Sequence, residues 1–212
     1  MYPSYSSDGS KVVFSTTSIG QGDSTIVKMY SMNEDGTNQN LLYQNSSSAF
    51  GVIRYPTYSE NQEKILFNYT IIGGVQVCNS DGSEVNTIFD DCNYIKRVSS
   101  AVSFFIFSCS SNIYAYNYNS EILTNLGKGQ MPDISTNGTE ITFYDYDLMV
   151  MDIDGSNRTK IADSSTASQS FSSDGNKIVF LGDKEYNSKR NKNPLEKEKY
   201  NEKNLLPFFY VN

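Results

Sequence analysis

The chain has 212 residues, a formal charge of −7, no histidine and no tryptophan, but 16 tyrosines and 12 phenylalanines. Such acidity lacks the basic footprint of a nucleic-acid binder, and no apolar run approaches the roughly 18 residues of a membrane helix, so neither nucleic acid nor membrane insertion is expected. Abundant Tyr, Phe, Ile, Val, Ser, Thr, Asn and Gly favour strands and turns over helices.

Read in chain order, one short phrase recurs. Residues 5–14 are YSSDGSKVVF and residues 171–180 are FSSDGNKIVF. Pro3 leads to Asp8-Gly9 and the run Lys11-Val12-Val13-Phe14; Pro56 leads to Asn61-Gln62 and Lys64-Ile65-Leu66-Phe67. A weaker copy starts near Lys96 and reaches Phe104-Phe105-Ile106-Phe107. Pro132 leads to Asn137-Gly138 and Glu140-Ile141-Thr142-Phe143, and Gln169, in the proline slot, to Asp174-Gly175 and Lys177-Ile178-Val179-Phe180. Each run ends eleven residues after its anchor, and the anchors lie 53, 40, 36 and 37 residues apart. A second segment then ends in a polar turn: Met29 to Met32 before Asp35-Gly36, Val75 to Cys78 before Asp81-Gly82, Ile113 to Tyr116 before Asn119-Ser120, Leu148 to Met151 before Asp154-Gly155. Leu41-Leu42-Tyr43, Thr87-Ile88-Phe89, Ile122-Leu123 and Lys160-Ile161-Ala162 close the units.

Asp-Gly and Asn-Gly supply the positive φ of tight hairpins, so each unit reads as four short strands. The runs VVF, ILF, FIF and IVF are continuously apolar, the pattern of a sheet covered on both faces. Four-stranded sheets repeated at this period and packed face to face make a β-propeller. The expected fold class is therefore all-β, a propeller of about five units with an incomplete last blade.

The pattern Pro-x-aromatic-Ser-x-Asp-Gly-x-Lys-Ile-x-Phe, followed by Met-Asp-x-Asp-Gly, resembles the TolB-type WD-like repeat, best at residues 3–14, 132–155 and 169–180. That repeat occurs in the translocation protein TolB and in propeller domains of prolyl oligopeptidase and dipeptidyl peptidase relatives. The resemblance covers residues 1–183 and implies the propeller fold, which hosts many unrelated activities. The family usually closes six or seven blades, whereas five anchors are present, so the resemblance leaves closure of the ring in doubt.

The chemistry sought is mostly missing. Without histidine there is no Ser-His-Asp triad, no histidine-held metal and no partner base for a cysteine nucleophile, and no GxSxG motif exists. The expectation is a non-enzyme with no catalytic, cofactor or metal residues. Cys78, Cys92 and Cys109, an odd set without a CxxC pair, are expected as free buried thiols. Asp145, Asp147, Asp152 and Asp154 form the best candidate for a cation, but the stronger expectation is turn and loop acids, since no DxDxDG loop is present. Repeated aromatics (Tyr5, Tyr58 and Phe171; Phe14, Phe67, Phe107, Phe143 and Phe180) are expected in the core. Tyr144 and Tyr146, and in part Tyr114, Tyr116 and Tyr118, lie outside the repeated slots and are candidates for a contact surface.

In a four-stranded blade the Asp-Gly turns lie on one rim, and the second-to-third and fourth-to-first connections on the other. The insertions, residues 15–28, 44–54 and 181–204, all fall on this second rim, where a protein partner is expected. A protein-interaction scaffold is the leading function. The alternatives are a fragment or accessory propeller of a larger peptidase-like or TolB-like exported protein, and a carbohydrate or small-ligand binder at the channel mouth. Residues 184–204 hold seven Lys or Arg and four Glu, a net +3, and form a charged insertion. Within residues 205–212, Phe208 to Val211 are expected to be the third strand of the last blade, leaving an unpaired edge open to self-association. The start MYPSYSSDG shows no signal peptide, so the chain reads as cytoplasmic as written, or exported if part of a longer protein.

Overall fold

The computed structural model describes residues 3–20, 24–71, 73–92, 95–163, 168–181 and 205–208. The strands are β1 (Ser4–Tyr5), β2 (Lys11–Ile19), β3 (Thr25–Asn33) and β4 (Asn40–Ser47); β5 (Ile53–Tyr58), β6 (Lys64–Tyr69), β7 (Gly74–Asn79) and β8 (Asn86–Phe89). They continue as β9 (Ile95–Ala101), β10 (Phe104–Cys109), β11 (Asn112–Asn117) and β12 (Ile122–Lys128); β13 (Gln130–Ile134), β14 (Glu140–Tyr144), β15 (Leu148–Asp152) and β16 (Thr159–Ala162); and finally β17 (Gln169–Phe171), β18 (Ile178–Leu181) and β19 (Leu205–Phe208). Each set of four is an antiparallel sheet in sequence order, and the last three strands form a fifth sheet. First strands neighbour one another, β1 against β5, β5 against β9, β9 against β13 and β13 against β17. These are the blades of a β-propeller, as the repeat period requires.

The apolar runs behave as a doubly covered sheet must. Ile65 and Phe67 pack back on Val13, Val27 and Met29 of the preceding sheet, while Leu66, between them, points forward to Ile95, Phe105 and Phe107. Alternation repeats at β10, where Phe105 and Phe107 face back and Ile106 faces forward, and Ile141 and Phe143 face back from β14. In the second to fifth blades the recurring Phe thus points at the blade before it.

A bulge recurs where the fourth strand pairs with the third. Register slips between Met29 and Tyr30, Val75 and Gln76, Ile113 and Tyr114, and Leu148 and Met149. The residue left over on the fourth strand is Leu42, Ile88, Leu126 or Ile161, and each packs into the core shared with the next blade. A bulge redirects a side chain, here turning one aliphatic group of an otherwise polar strand inward. The prolines have a related role. Pro56 and Pro132 sit in bulges of β5 and β13, where Tyr55 and Met131 take φ of 50° and 53° and no ladder donor is needed.

The turn expected at Gly9, Gly138 and Gly175 is present, with φ of 75°, 71° and 70°. Its hydroxyl is the organiser. The Ser6 Oγ donates to Asp8 Oδ1 (2.7 Å) and accepts from the Lys11 N–H (2.9 Å), and Ser59, Ser135 and Ser172 repeat both bonds.

Three expectations need correction. Tyr5, expected in the core, is 64% exposed on the first sheet. Cys92 and Cys109 are disulfide-bonded, with Cα atoms 5.9 Å apart, and only Cys78 is a free buried thiol among the three. Pairing of β9 with β10 sets Cys109 opposite Ile95, which brings the segment before β9 beside it; sequence spacing alone hides this. The fifth sheet does have a strand in third place, but it is Leu205–Phe208 and runs parallel to β18, with Ile178 opposite Leu205 and Leu181 opposite Phe208. A parallel pair is not a hairpin. Residues 209–211 of the expected strand, and the charged insertion at 184–204, lie outside the described residues.

Candidate interaction rim

The first two insertions are strands more than loops. β2 and β3 each run nine residues and β4 eight, whereas β6 and β7 have six and β14 and β15 five. Residues 15–28 thus lengthen a hairpin, closed at its tip by the Gly20 N–H to Ser24 O bond (2.6 Å), and residues 44–47 add a third strand to it. Paired backbone gives this ribbon a defined shape. Its root is anchored by the buried Ser15 Oγ, which donates to Ile53 O (2.8 Å), and the following connection is pinned by the Val52 N–H donating to Thr70 Oγ1 (3.0 Å). Residues 182–204 of the third insertion lie outside the described residues.

Three large apolar side chains stand out on this rim: Ile19 at the ribbon tip is 80% exposed, Phe50 in the β4–β5 connection 79%, and Tyr146 in the β14–β15 turn 85%. Among the described residues no other large hydrophobic side chain is as exposed. Tyr146 holds a φ of 62°, which aims it off the turn.

Beside it, between the third and fourth sheets, lies an open cleft of about 410 Å³ whose lining includes Ser111, Asn112, Lys128, Gln130, Tyr144 and Tyr146. Gln130 Nε2 donates to Ser111 Oγ (3.3 Å) and its Oε1 accepts from Lys96, so the cleft floor is polar and tied across both sheets. Sequence reasoning placed Tyr144 and Tyr146 outside the repeat slots, and both come to this cleft. Tyr114, Tyr116 and Tyr118 do not: Tyr116 and Tyr118 are buried, and Tyr114 stacks between Phe89 (4.7 Å) and Phe107 (5.6 Å) in the core of the second and third sheets.

The acidic group is dispersed into local contacts. Asp147 pairs with Lys160 at 2.8 Å, Asp152 accepts from Asn157 Nδ2 (2.6 Å), and Asp154 accepts from the Ser156 hydroxyl (2.6 Å) and N–H (2.9 Å). The Ser156 bonds hold the Asp154 carboxyl below the usual carboxylate range. Among the described residues no three His, Cys, Asp or Glu side chains converge as a metal site would need, and no helix is long and apolar enough to cross a membrane.

Near the first strands a polar knot joins three sheets. The Asp133 carboxylate accepts from Ser99 Oγ (2.8 Å), Ser170 Oγ (2.8 Å) and the Phe171 N–H (2.7 Å), and pairs with Arg97 at 3.2 Å. Arg97 also donates to Gln169 O (2.6 Å). With every oxygen used, this group clamps blades together and offers no free chemistry.

Comparison with known proteins gives the fold and no more. No family model matches the chain, and no curated protein is similar to it. Among solved structures it is similar to an oligogalacturonate lyase in complex with manganese (TM-score 0.64, 13% identity, 87% of this chain and 62% of that one). It is also similar to a chain of the mitotic checkpoint complex (0.65, 11%, 85% and 56%) and to one of a nidogen/laminin complex (0.52, 12%, 73% and 60%). The chain thus spans about 60% of the length of these three chains.

Proposed function

We propose that the chain is a non-catalytic, TolB-like propeller module that binds a protein partner through the rim carrying residues 15–28, 44–54 and 181–204. The observation that supports this reading most is the gathering of Ile19, Phe50 and Tyr146, the most exposed large apolar side chains among the described residues, on that one rim. Anchors of this kind, Ile19 on a paired strand and Phe50 and Tyr146 on short connections between strands, suit a protein interface. Two structural neighbours come from protein complexes, the mitotic checkpoint complex and nidogen/laminin, which is compatible with the same use of the fold. Lyase chemistry is not carried over, because the chain has no histidine and Asp147, Asp152 and Asp154 are engaged in local contacts.

The test compares binding by wild type, the double variant Ile19→Asp/Phe50→Asp, and a control on the Asp-Gly rim, Val102→Asp/Ile122→Asp. A partner bound by wild type and by the control, and lost by the first variant, supports the reading. Equal retention by both variants, or loss only in the control, refutes it.

A second reading, carbohydrate or small-ligand binding, is supported by the polar cleft with Tyr146 at its edge, since a flat ring beside amide and hydroxyl groups suits a sugar face. Tyr146→Ala would then abolish saccharide binding in a glycan screen. The further reading, that the chain is a fragment or accessory propeller of a larger peptidase-like or TolB-like exported protein, is supported by the partial length that it shares with its neighbours.

A further inference from the structure

The first sheet has an outer face made to the same specification as the faces that pack between blades. Tyr5, Val12, Phe14 and Met32 occupy the slots of Tyr58, Ile65, Phe67 and Cys78, all four of which are buried against the first sheet. They also match Ile141, Phe143 and Met151, which lie against the third sheet. In the first sheet Val12 is still buried, at 6%, but the positions around it are more open: Tyr5 is 64% exposed where Tyr58 is 4%, and Met32 and Phe14 are only half-buried, Phe14 stacked on Tyr30 at 5.5 Å.

The turn glycines give an independent sign. A Cβ on Gly82 would meet Leu42 O at 2.2 Å, and one on Gly155 would meet Leu126 at 3.4 Å, because each Asp-Gly turn nests on the fourth-strand bulge of the preceding blade. A Cβ on Gly138 would meet Val102 at 2.8 Å, and one on Gly175 would meet Thr136 N at 3.6 Å. Gly36 and Gly9, the equivalents in the first sheet, have nothing within 4 Å. Face and turns together form a docking surface with the shape of a blade–blade contact and no blade on it among the described residues.

Every such contact among the described residues is heterologous: the Phe-bearing face of one sheet meets the opposite kind of face on the sheet before it. A two-fold arrangement would instead set Phe14 against Phe14, a pairing of like faces that no blade contact among the described residues uses. The face of the complementary kind at the far end of the array belongs to the fifth sheet, where Val179 takes the forward-pointing slot of Val13, Leu66 and Ile106 and is half-buried. We infer that the outer face of the first sheet seats the fifth sheet of a second copy of this chain, head to tail. The surface is apolar, so the association is driven by burial and persists at high salt. Heterologous contacts of this type close into rings or grow as chains. This assigns self-association to a blade face, where the sequence alone suggests an unpaired edge strand, and it does not depend on the rim reading.

The experiment is sedimentation velocity on the full chain over a wide concentration range, with folding checked by circular dichroism. Wild type is expected to associate with rising concentration, and Phe14→Lys or Tyr5→Lys, changing side chains that solvent already reaches, to remain monomeric with an unchanged spectrum. Val179→Lys, which damages the other face, is expected to be monomeric alone and to form a one-to-one dimer with Phe14→Lys, since that mixture retains one intact face of each kind. A wild type that stays monomeric, association that survives Phe14→Lys, or Val179→Lys that dimerises by itself would each overturn the inference.

Discussion

Nesting of each Asp-Gly turn on the preceding blade predicts a large difference between two chemically identical substitutions, Gly36→Ala and Gly82→Ala. Both glycines hold a left-handed backbone, with φ of 84° and 88°, so an added Cβ costs each about 1 kcal/mol in backbone strain. At Gly36 that is the whole cost, since nothing lies within 4 Å of the new atom. At Gly82 the Cβ would sit 2.2 Å from Leu42 O and 2.8 Å from Leu42 C and Cα, where ordinary contact starts at 3.4 Å. The obstacle is backbone within a bulge, so β4 must shift by about 1 Å and drag Leu42 out of the core shared with Ile65 and Phe67; such overpacking costs a further ~2 kcal/mol. For a chain of this size each kcal/mol lowers Tm by roughly 2–4 °C, so Gly36→Ala is expected to lose roughly 3 °C and Gly82→Ala roughly 9 °C. Thermal melts followed by circular dichroism at low protein concentration measure both. Equal losses, or a greater loss at Gly36, would show that the turn of the second blade does not rest on the bulge of the first.

Three more outcomes are expected. Asp133→Ala should destabilise by about 3 kcal/mol, because it strips the partner from Arg97 and leaves the Phe171 N–H unpaired inside the blade contacts; urea unfolding that matches wild type would show the knot to be dispensable. Thiol labelling should find no reactive cysteine in the native protein at pH 8, since burial pushes the Cys78 thiol up to about 12, one after unfolding, and three after reduction; two or three without reductant would exclude the Cys92–Cys109 bond. Asp8 is held below the carboxylate range chiefly by the Ser10 N–H, Asp35, Asp81 and Asp154 by the Thr37, Ser83 and Ser156 hydroxyls, and Asp174 by Ser172. A pKa lowered by folding favours the native state at pH values above the ordinary carboxylate range of about 4, and that contribution is lost as pH falls through the depressed values. Tm should hold steady from neutral pH to about 5 and then fall, and an equal Tm at pH 3 and pH 7 would contradict the turn geometry.

Much of the fold is written locally. A Ser two residues before Asp or Asn, with Gly next, closes a hairpin through bonds that need nothing beyond the turn, so Ser6, Ser135 and Ser172 announce their turns from sequence. The runs ending in Phe67, Phe107 and Phe143 likewise state that both faces are covered, because no half-exposed strand would be apolar at consecutive positions. What the local code cannot carry is anything set by pairing register or by the approach of distant strands. Leu42, Ile88, Leu126 and Ile161 look like ordinary strand residues until a slipped register turns each one inward. Cys92 and Cys109 meet only because β9 lies along β10. Residues 15–28 read as a loop in a periodic alignment, yet their Thr, Val and Ile side chains extend a ladder once β4 provides a third strand. The exposed Tyr5 and the buried Tyr58 have the same sequence environment, and only the presence of a blade on one side decides which of them is core. Turn chemistry and side-chain alternation act over a few residues and are legible in one chain of letters; register, bulges and burial depend on how one strand meets the next and on the neighbouring blade, and only the folded arrangement supplies those.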